Sequence, residues 1–295
     1  MKTIKRTPVT VLVAVKNEAI NLSKCLKSLQ PAERVVLLDS HSKDGTTAIA
    51  KRFGAEVVQF NYKGGYPKKR QWAFDYLKIK TKWILLIDAD EEVPRDLWTE
   101  INREISSVSP FQAYLIKKQF HFMGKKFRFG GFSFEAVLLF QKGKARFEHL
   151  IDEPASAMDM EVHERLIVDG TIGKIRTALL HNDYKNLESF VDRHNKYSTW
   201  EAKVRESFAE TGRYGQTSIE PRFLGNSQER RRFQKKLVQN IPFEPFVWFL
   251  YHYLFHLGFL EGQRGWIACL FKAQYIFQVR AKMKEIFLKS IEKNK

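Results

Sequence analysis

The chain has 295 residues and 44% apolar content, enough for one large α/β domain with an appendage or for two modest domains, and it carries no low-complexity tract or internal repeat. A net charge of +17 points to a polyanionic partner, whether nucleic acid, an anionic bilayer or a phosphorylated substrate. The two cysteines, Cys25 and Cys269, lie far apart with no metal-type spacing, which fits a reducing compartment.

The basic start, Met1 to Arg6, leads to Pro8 and a short strand-like run instead of a signal-peptide core, so a cytoplasmic protein is expected. Residues Thr7 to Val15 read as a first strand, followed by Lys16-Asn17-Glu18 and a helix through Leu29. Val35 to Asp39 is a second strand, and Ser40 to Thr46 a turn opening a helix to Phe53, with Ser42 or Thr46 suited to cap it. Glu56 to Phe60 is a third strand. After Gly64-Gly65, Lys68 to Lys78 reads as a helix. Strands and helices alternating at this spacing argue for a parallel sheet.

The run Trp83-Ile84-Leu85-Leu86-Ile87-Asp88-Ala89-Asp90-Glu91-Glu92 is a strand covered on both faces that ends abruptly in acid. On an extended backbone Asp88 and Asp90 would point the same way, because side chains alternate with period two. Two such oxygen donors suit a divalent cation that also holds a phosphate. The plainer role for these acids is to end the strand and start the helix signalled by Pro94.

Beyond Phe111 the pattern changes to short β-like pieces, read as strands at Ala113 to Phe120, Ala136 to Gln141 and Arg146 to His149. Asn186 to Phe208 is helical and Thr211 to Asn226 a connecting loop. The basic run Arg230, Arg231, Arg232, Lys235 and Lys236 then precedes an aromatic segment, Phe243 to Leu260. As a helix, Phe246 to Leu260 would rise about 22 Å, short of the roughly 30 Å of a hydrocarbon core. A glycine-rich bend and a second apolar stretch, Trp266 to Val279, complete a pair of short helices suited to a membrane interface or to a lid.

Glu18, Asp39 and the Asp88/Asp90 pair all fall at carboxyl ends of expected parallel strands, where open α/β sheets bind ligands. Lys69 and Arg70 could neutralise a diphosphate. In order, strand-Lys-Asn-Glu, Asp-Ser-His-Ser-Lys-Asp-Gly-Thr and Asp-Ala-Asp-Glu-Glu resemble the successive signatures of family 2 glycosyltransferases with the GT-A fold. Val162-His163-Glu164-Arg165-Leu166, Leu180-His181 and Gly258-Phe259-Leu260-Glu261-Gly262 resemble a narrower group, the bacterial lipopolysaccharide-core β-1,4-glucosyltransferases and cell-surface polysaccharide enzymes.

That resemblance implies an α/β GT-A catalytic domain over residues 1–226, divided into a nucleotide-sugar-binding half (1–110) and a mixed-β acceptor half (111–226). It leaves residues 227–295 as a helical membrane-association region. It further implies that Val15, Glu18, Asp39 and Arg70 hold a nucleotide sugar, a UDP-hexose, with Asp39 on the uracil or ribose. Asp88 and Asp90, approached by His181, would hold Mg²⁺ or Mn²⁺ on the diphosphate. Inversion needs a general base, and Glu164, with His163 as competitor, stands where the family's Glu-Asp motif would be. The implied acceptor is lipid-linked or lipopolysaccharide glycan, reached from the cytoplasmic face of the inner membrane through an anionic surface. No Arg stands in Phe134-Glu135-Ala136-Val137-Leu138-Leu139-Phe140, where relatives carry Arg-Leu-Phe. The Gln/Arg-x-x-Arg-Trp motif of processive relatives is missing, which argues for addition of a single sugar.

Two other classes compete. A nucleic-acid-binding protein would account for the charge, but the acidic cluster repels phosphate without a metal and no recognition module is present. A nucleotidyltransferase would need a glycine-rich phosphate loop where Lys16-Asn17-Glu18 stands.

Overall fold

In the computed structural model, which describes residues 6–106, 108–151, 158–162, 164–181, 186–212, 214–239 and 241–293, strand β1 (Thr7–Val15) is buried on both faces over most of its length. Its Thr-Val-Leu-Val-Ala-Val run suits a position with neighbours on each side, and β1 pairs in parallel with both β2 (Ala32–Asp39) and β4 (Trp83–Asp88). Thr10, a buried polar position of this strand, is satisfied: its N–H donates to Thr81 Oγ1 at 3.0 Å, and the two hydroxyls bond at 2.7 Å. β3 (Glu56–Gln59) adds to β2 in parallel, with α1 (Ala19–Ser28), α2 (Thr46–Arg52) and α3 (Lys69–Tyr76) as the intervening helices.

The acidic strand ends sooner than the period-two reading requires. β4 stops at Asp88, Ala89-Asp90 form a turn, and β5 (Glu91–Glu92) follows before α4 (Arg95–Ser106). The buried Glu91 carboxylate accepts the Asp88 N–H at 2.7 Å and closes this turn. Asp88 and Asp90 therefore do not share one face of an extended strand, and each meets different partners. Helix α4 buries Leu97, Trp98 and Ile101, and Trp98 Nε1 donates to Ser28 O at 2.8 Å.

The sheet turns from parallel to mixed beyond β4. β6 (Ala113–Phe122), β7 (Lys125–Lys126), β8 (Phe134–Gln141), β11 (Ile172–Lys174) and β12 (Leu179–His181) make up this part, while β9 (Ala145–Phe147) and β10 (Leu166–Val168) form a separate two-stranded antiparallel sheet. The main order is β3-β2-β1-β4-β8-β6-β12-β5, with β4–β8 and β5–β12 antiparallel. The strand expected to reach His149 ends at Phe147, and His149 instead bridges Thr217.

The chain divides into two compact units, one of residues 1–119, 135–147 and 152–183, the other of residues 120–134, 148–151 and 184–295. The expected boundary at 226/227 falls inside the second unit. That unit holds α5 (Leu187–Thr211), α6 (Ser227–Val238), α7 (Glu244–Leu250) and α8 (Gln263–Lys293). Ala202 of α5 packs with Tyr275, Ile276 and Val279 of α8, and Met283 and Ile286 continue that seam. This helical spacing continues past the apolar stretch Trp266 to Val279 read from sequence, and α8 runs to 31 residues.

Between α7 and α8 the chain makes a π-helical turn at Tyr251–Phe255 and a 3₁₀ turn at Gly258–Glu261. Glycine is required here by close approach: a Cβ on Gly265 would lie 2.0 Å from the Gly258 carbonyl oxygen. Among the described residues, no helix is long and apolar enough to cross a membrane.

The basic run on α6 is also not the free surface device that its sequence suggests. Arg232 is buried, with Nη2 2.6 Å from Glu148 Oε1, and Lys235 lies 2.8 Å from Glu201. Helical periodicity turns these two inward to neutralise carboxylates. At the centre of the second unit, Arg205 meets Glu201 at 2.8 Å and Glu244 at 2.9 Å, and all three side chains are at least 95% buried. Arg205→Met should lower the stability of the fold by about 3 kcal/mol, because two carboxylates lose their main counter-charge. Urea unfolding of the variant checks this; an unchanged midpoint would show that Lys235, Tyr275 and Arg280 suffice.

Candidate active site at the strand ends

Register brings the acidic positions of the first unit to one rim. Val15 lies opposite Asp39 across β1–β2, Ala14 opposite Asp88 across β1–β4, and Asp39 opposite Gln59 across β2–β3. Residues 24, 74 and 20 positions apart in the chain thus become neighbours through parallel pairing alone.

Asp39 is 1% exposed and both of its oxygens are engaged. The Ser42 N–H donates to each at 3.2 Å, the Ser42 hydroxyl to Oδ1, and Gln59 Nε2 to Oδ2 at 2.9 Å. Neither Ser42 nor Thr46 caps α2. Instead Asp44 takes the turn's donors, accepting the Ala19 N–H at 3.1 Å and the Thr46 N–H at 3.0 Å. Glu18 precedes α1, where its side chain accepts from Asn21 Nδ2 at 2.9 Å and its N–H donates to Thr46 Oγ1 at 2.8 Å.

The start of α3 is held by an acidic segment that sequence reading passed over. Glu161 accepts the N–H groups of Arg70 and Gln71 at 3.1 and 3.0 Å, satisfying donors at the helix N-terminus. Lys69 is 1% exposed. Its ammonium donates to Val15 O at 3.0 Å and pairs with Asp159 at 3.2 Å. Burial pushes that ammonium down and Asp159 opposes the shift. Lys68 Nζ donates to Glu164 Oε1 at 2.5 Å, and Glu164 Oε2 accepts the Val162 N–H at 3.1 Å, so the carboxylate is buried and bonded at both oxygens. His163 lies outside the described residues.

Asp88 sits between two cations. Arg70 bonds Oδ1 and Lys118 Nζ donates to Oδ2 at 2.9 Å. Burial would raise the Asp88 carboxyl, but these charges outweigh it and hold the group well below the usual range. Lys118 also pairs with Glu91 at 2.6 Å. Burial pushes the Glu91 carboxyl up to about 8, with Asp88 and Asp90 adding to the effect against Lys118. Lys118 is a site residue that the sequence announces only as a lysine inside an apolar strand: along β6, Lys117 is exposed and Lys118 buried.

Asp90 turns the other way. Its carboxylate lies 3.8 Å from His181 Nε2, and both side chains are partly exposed. The antiparallel β5–β12 pairing, with His181 opposite Glu91, creates this proximity. An oxygen and an imidazole nitrogen facing each other fit two ligands of a cation that takes its remaining ligands from a diphosphate and water. Asp88 could ligate only by giving up Arg70 or Lys118. No group of three or more potential ligands is preassembled among the described residues.

The family model described as glycosyl transferase family 2 matches residues 10–123, from β1 through the end of β6. Lipopolysaccharide core biosynthesis glycosyltransferase LpsC of Rhizobium meliloti is 25% identical over 95% of this chain and 93% of that protein. An uncharacterized glycosyltransferase of Rickettsia felis is 29% identical over 66% of this chain and 69% of that one. Among solved structures, glucosyl-3-phosphoglycerate synthase from Mycobacterium tuberculosis, bound to Mn²⁺, UDP and glucosyl-3-phosphoglycerate, is 20% identical, covers 39% of this chain and 44% of that chain, and has a TM-score of 0.32. The family match, with a parallel β3-β2-β1-β4 sheet continued by mixed strands, gives the GT-A fold expected from the sequence. The chain is a glycosyltransferase, and its residues 10–123 form a family 2 glycosyl transferase domain.

Proposed function

We propose that the chain moves one sugar, with inversion, from a UDP-linked donor to a lipid-linked or lipopolysaccharide-core glycan. The observation that carries this reading is the rim itself, where register sets Val15, Asp39 and Asp88 side by side with Arg70 and Lys118 close behind. Asp39, with Gln59 and Ser42, orients a base or ribose; Glu18 and the Val15 backbone line the same pocket. Arg70, Lys118 and Lys69 supply positive charge for a diphosphate. Asp90 and His181 hold Mg²⁺ or Mn²⁺, which when bound stabilises charge on the departing diphosphate. Glu164 accepts the acceptor's proton. Its bonds to Lys68 and Val162 hold the carboxylate in position as the general base. The lipopolysaccharide-core assignment is supported by the full-length similarity to LpsC.

A thermal-shift panel of nucleotide sugars, with and without Mn²⁺, tests the donor. A UDP-sugar should raise the melting temperature only when the metal is present. Equal shifts with GDP-sugars, or shifts indifferent to metal, would sink the UDP and cation assignments.

The cytoplasmic membrane face is proposed from the second unit's surface. Phe243, Phe246, Phe255 and Phe277 are 80%, 59%, 79% and 63% exposed, and basic residues Lys284 and Lys289 follow on α8. Exposed aromatics beside cations suit an anionic bilayer interface. Phe255→Ser with Phe277→Ser should weaken partitioning onto phosphatidylglycerol vesicles by about tenfold or more, given the area removed. Unaltered sedimentation of the double variant would favour a lid.

A further inference from the structure

The second unit contains a group of cations that the donor-site chemistry does not use. Arg231 and Lys235 stand four residues apart on α6, and Lys272 lies on α8. Glu201 acts on all three, and both it and Glu244, which shares Arg205 with it, are heavily committed. Glu201 takes Arg205 and Lys235 on Oε1, and on Oε2 the Tyr275 hydroxyl at 2.6 Å. Glu244 takes Arg205, Trp248 Nε1 at 3.2 Å and Arg280 at 3.4 Å. Arg205, Arg231, Lys235, Lys272 and Arg280 thus outnumber Glu201 and Glu244 by three.

Lys272 and Arg231 have no ion-pair partner among the described residues. The Lys272 ammonium lies 5.7 Å from the Trp248 ring centre and 5.0 Å from that of Tyr275. Arg231 lies over the Phe134 ring at 5.3 Å. Ring faces are weak substitutes for an anion. Both side chains remain open to solvent, Lys272 half-buried and Arg231 exposed. Burial pushes the Lys272 ammonium down to about 8, and Arg231, Lys235 and Arg205 push the same way against Glu201. A charge excess held together at this cost in a half-desolvated position is relieved by an anion.

We propose that Arg231, Lys235 and Lys272 form a binding site for a phosphoryl group carried on a sugar or on a lipid headgroup. A phosphate monoester brings up to two charges and three acceptor oxygens to these cations, whereas a carboxylate brings one charge. The planar guanidinium of Arg231 can take two of those oxygens. This site lies wholly within the second unit and does not depend on the donor assignment.

Calorimetric titration of the full chain with inorganic phosphate, glucose 6-phosphate and glucose tests the site, alongside flotation with phosphatidic acid vesicles. Lys272→Met and Arg231→Gln should each weaken phosphate binding by about tenfold or more, as expected for loss of a charge-assisted bond, and leave UDP binding unaltered. Without phosphate, Lys272→Met should melt no lower than the parent protein, since it removes an uncompensated charge. Lys272-dependent binding of glucose 6-phosphate, but not of glucose, supports a sugar phosphate as the source. Lys272-dependence seen only with the vesicles supports a headgroup. The proposal is overturned if neither variant alters phosphate or vesicle binding, or if Lys272→Met melts well below the parent protein and phosphate stabilises neither form. Loss of UDP binding in the parent protein would count against the donor reading and leave this result standing.

Discussion

Asp90→Ala should lower sugar transfer at least about a thousandfold, the scale of losing a metal's electrostatic stabilisation, with a folded protein remaining. The structure gives the reason for the split between activity and stability. Asp90 accepts no hydrogen bond among the described residues and faces only His181, at 3.8 Å. Its removal should therefore change folding free energy by no more than about 0.5 kcal/mol. Asp88→Ala offers the contrast, because it strips the shared counter-charge from Arg70 and Lys118 and should unfold the protein more easily. Transfer from a radiolabelled UDP-sugar, titrated with Mn²⁺, reads the first effect, and thermal melting reads the second. An Asp90→Ala enzyme with the parent rate and metal dependence would remove the cation role from this residue.

Glu164→Gln should reduce the turnover number by about 10² to 10⁴, the usual range for a general base, while the donor's KM stays within a factor of a few. A glutamine keeps an oxygen for Lys68, so the fold should survive. The partner substitution separates chemistry from architecture. Lys68→Met leaves the carboxylate in place and should preserve turnover in part. If Glu164→Gln turns over at the parent rate while both variants melt early, the pair is structural and the base lies elsewhere.

The first half of the chain was legible because its signals are local. β1 came out with its sequence-read bounds, and β2, β3 and β4 within a few residues, since each is a short apolar run bounded by turn residues. Asp39 could be named because strand two ends there, and a parallel sheet puts such ends on one rim. The turn at Ala89-Asp90 was not legible. Asp-Ala-Asp on paper continues the alternation of the strand, and only the buried Glu91 carboxylate, bonded to Asp88 N–H, ends it. Lys118, Asp159 and Glu161 were missed for a related reason: each acts on a group 30 to 91 residues away, and nothing near them in the chain reports it. The basic run on α6 misled in the opposite sense. Five cations in seven positions read as a surface, yet helical geometry sends Arg232 and Lys235 inward to Glu148 and Glu201.

Sequence alone determined the alternation of strands and helices, the acidic ends of the parallel strands and, by resemblance, the family 2 class. These depend on hydrophobic periodicity and on short motifs, which are properties of neighbouring residues. The tertiary structure decided which charges compensate which: Asp88 belongs with Arg70 and Lys118, Asp90 with His181, Glu164 with Lys68, and Arg205 with two buried glutamates. A charge taken out of water must find its partner within a few ångströms, and strand register and helix packing set that distance without regard to separation along the chain.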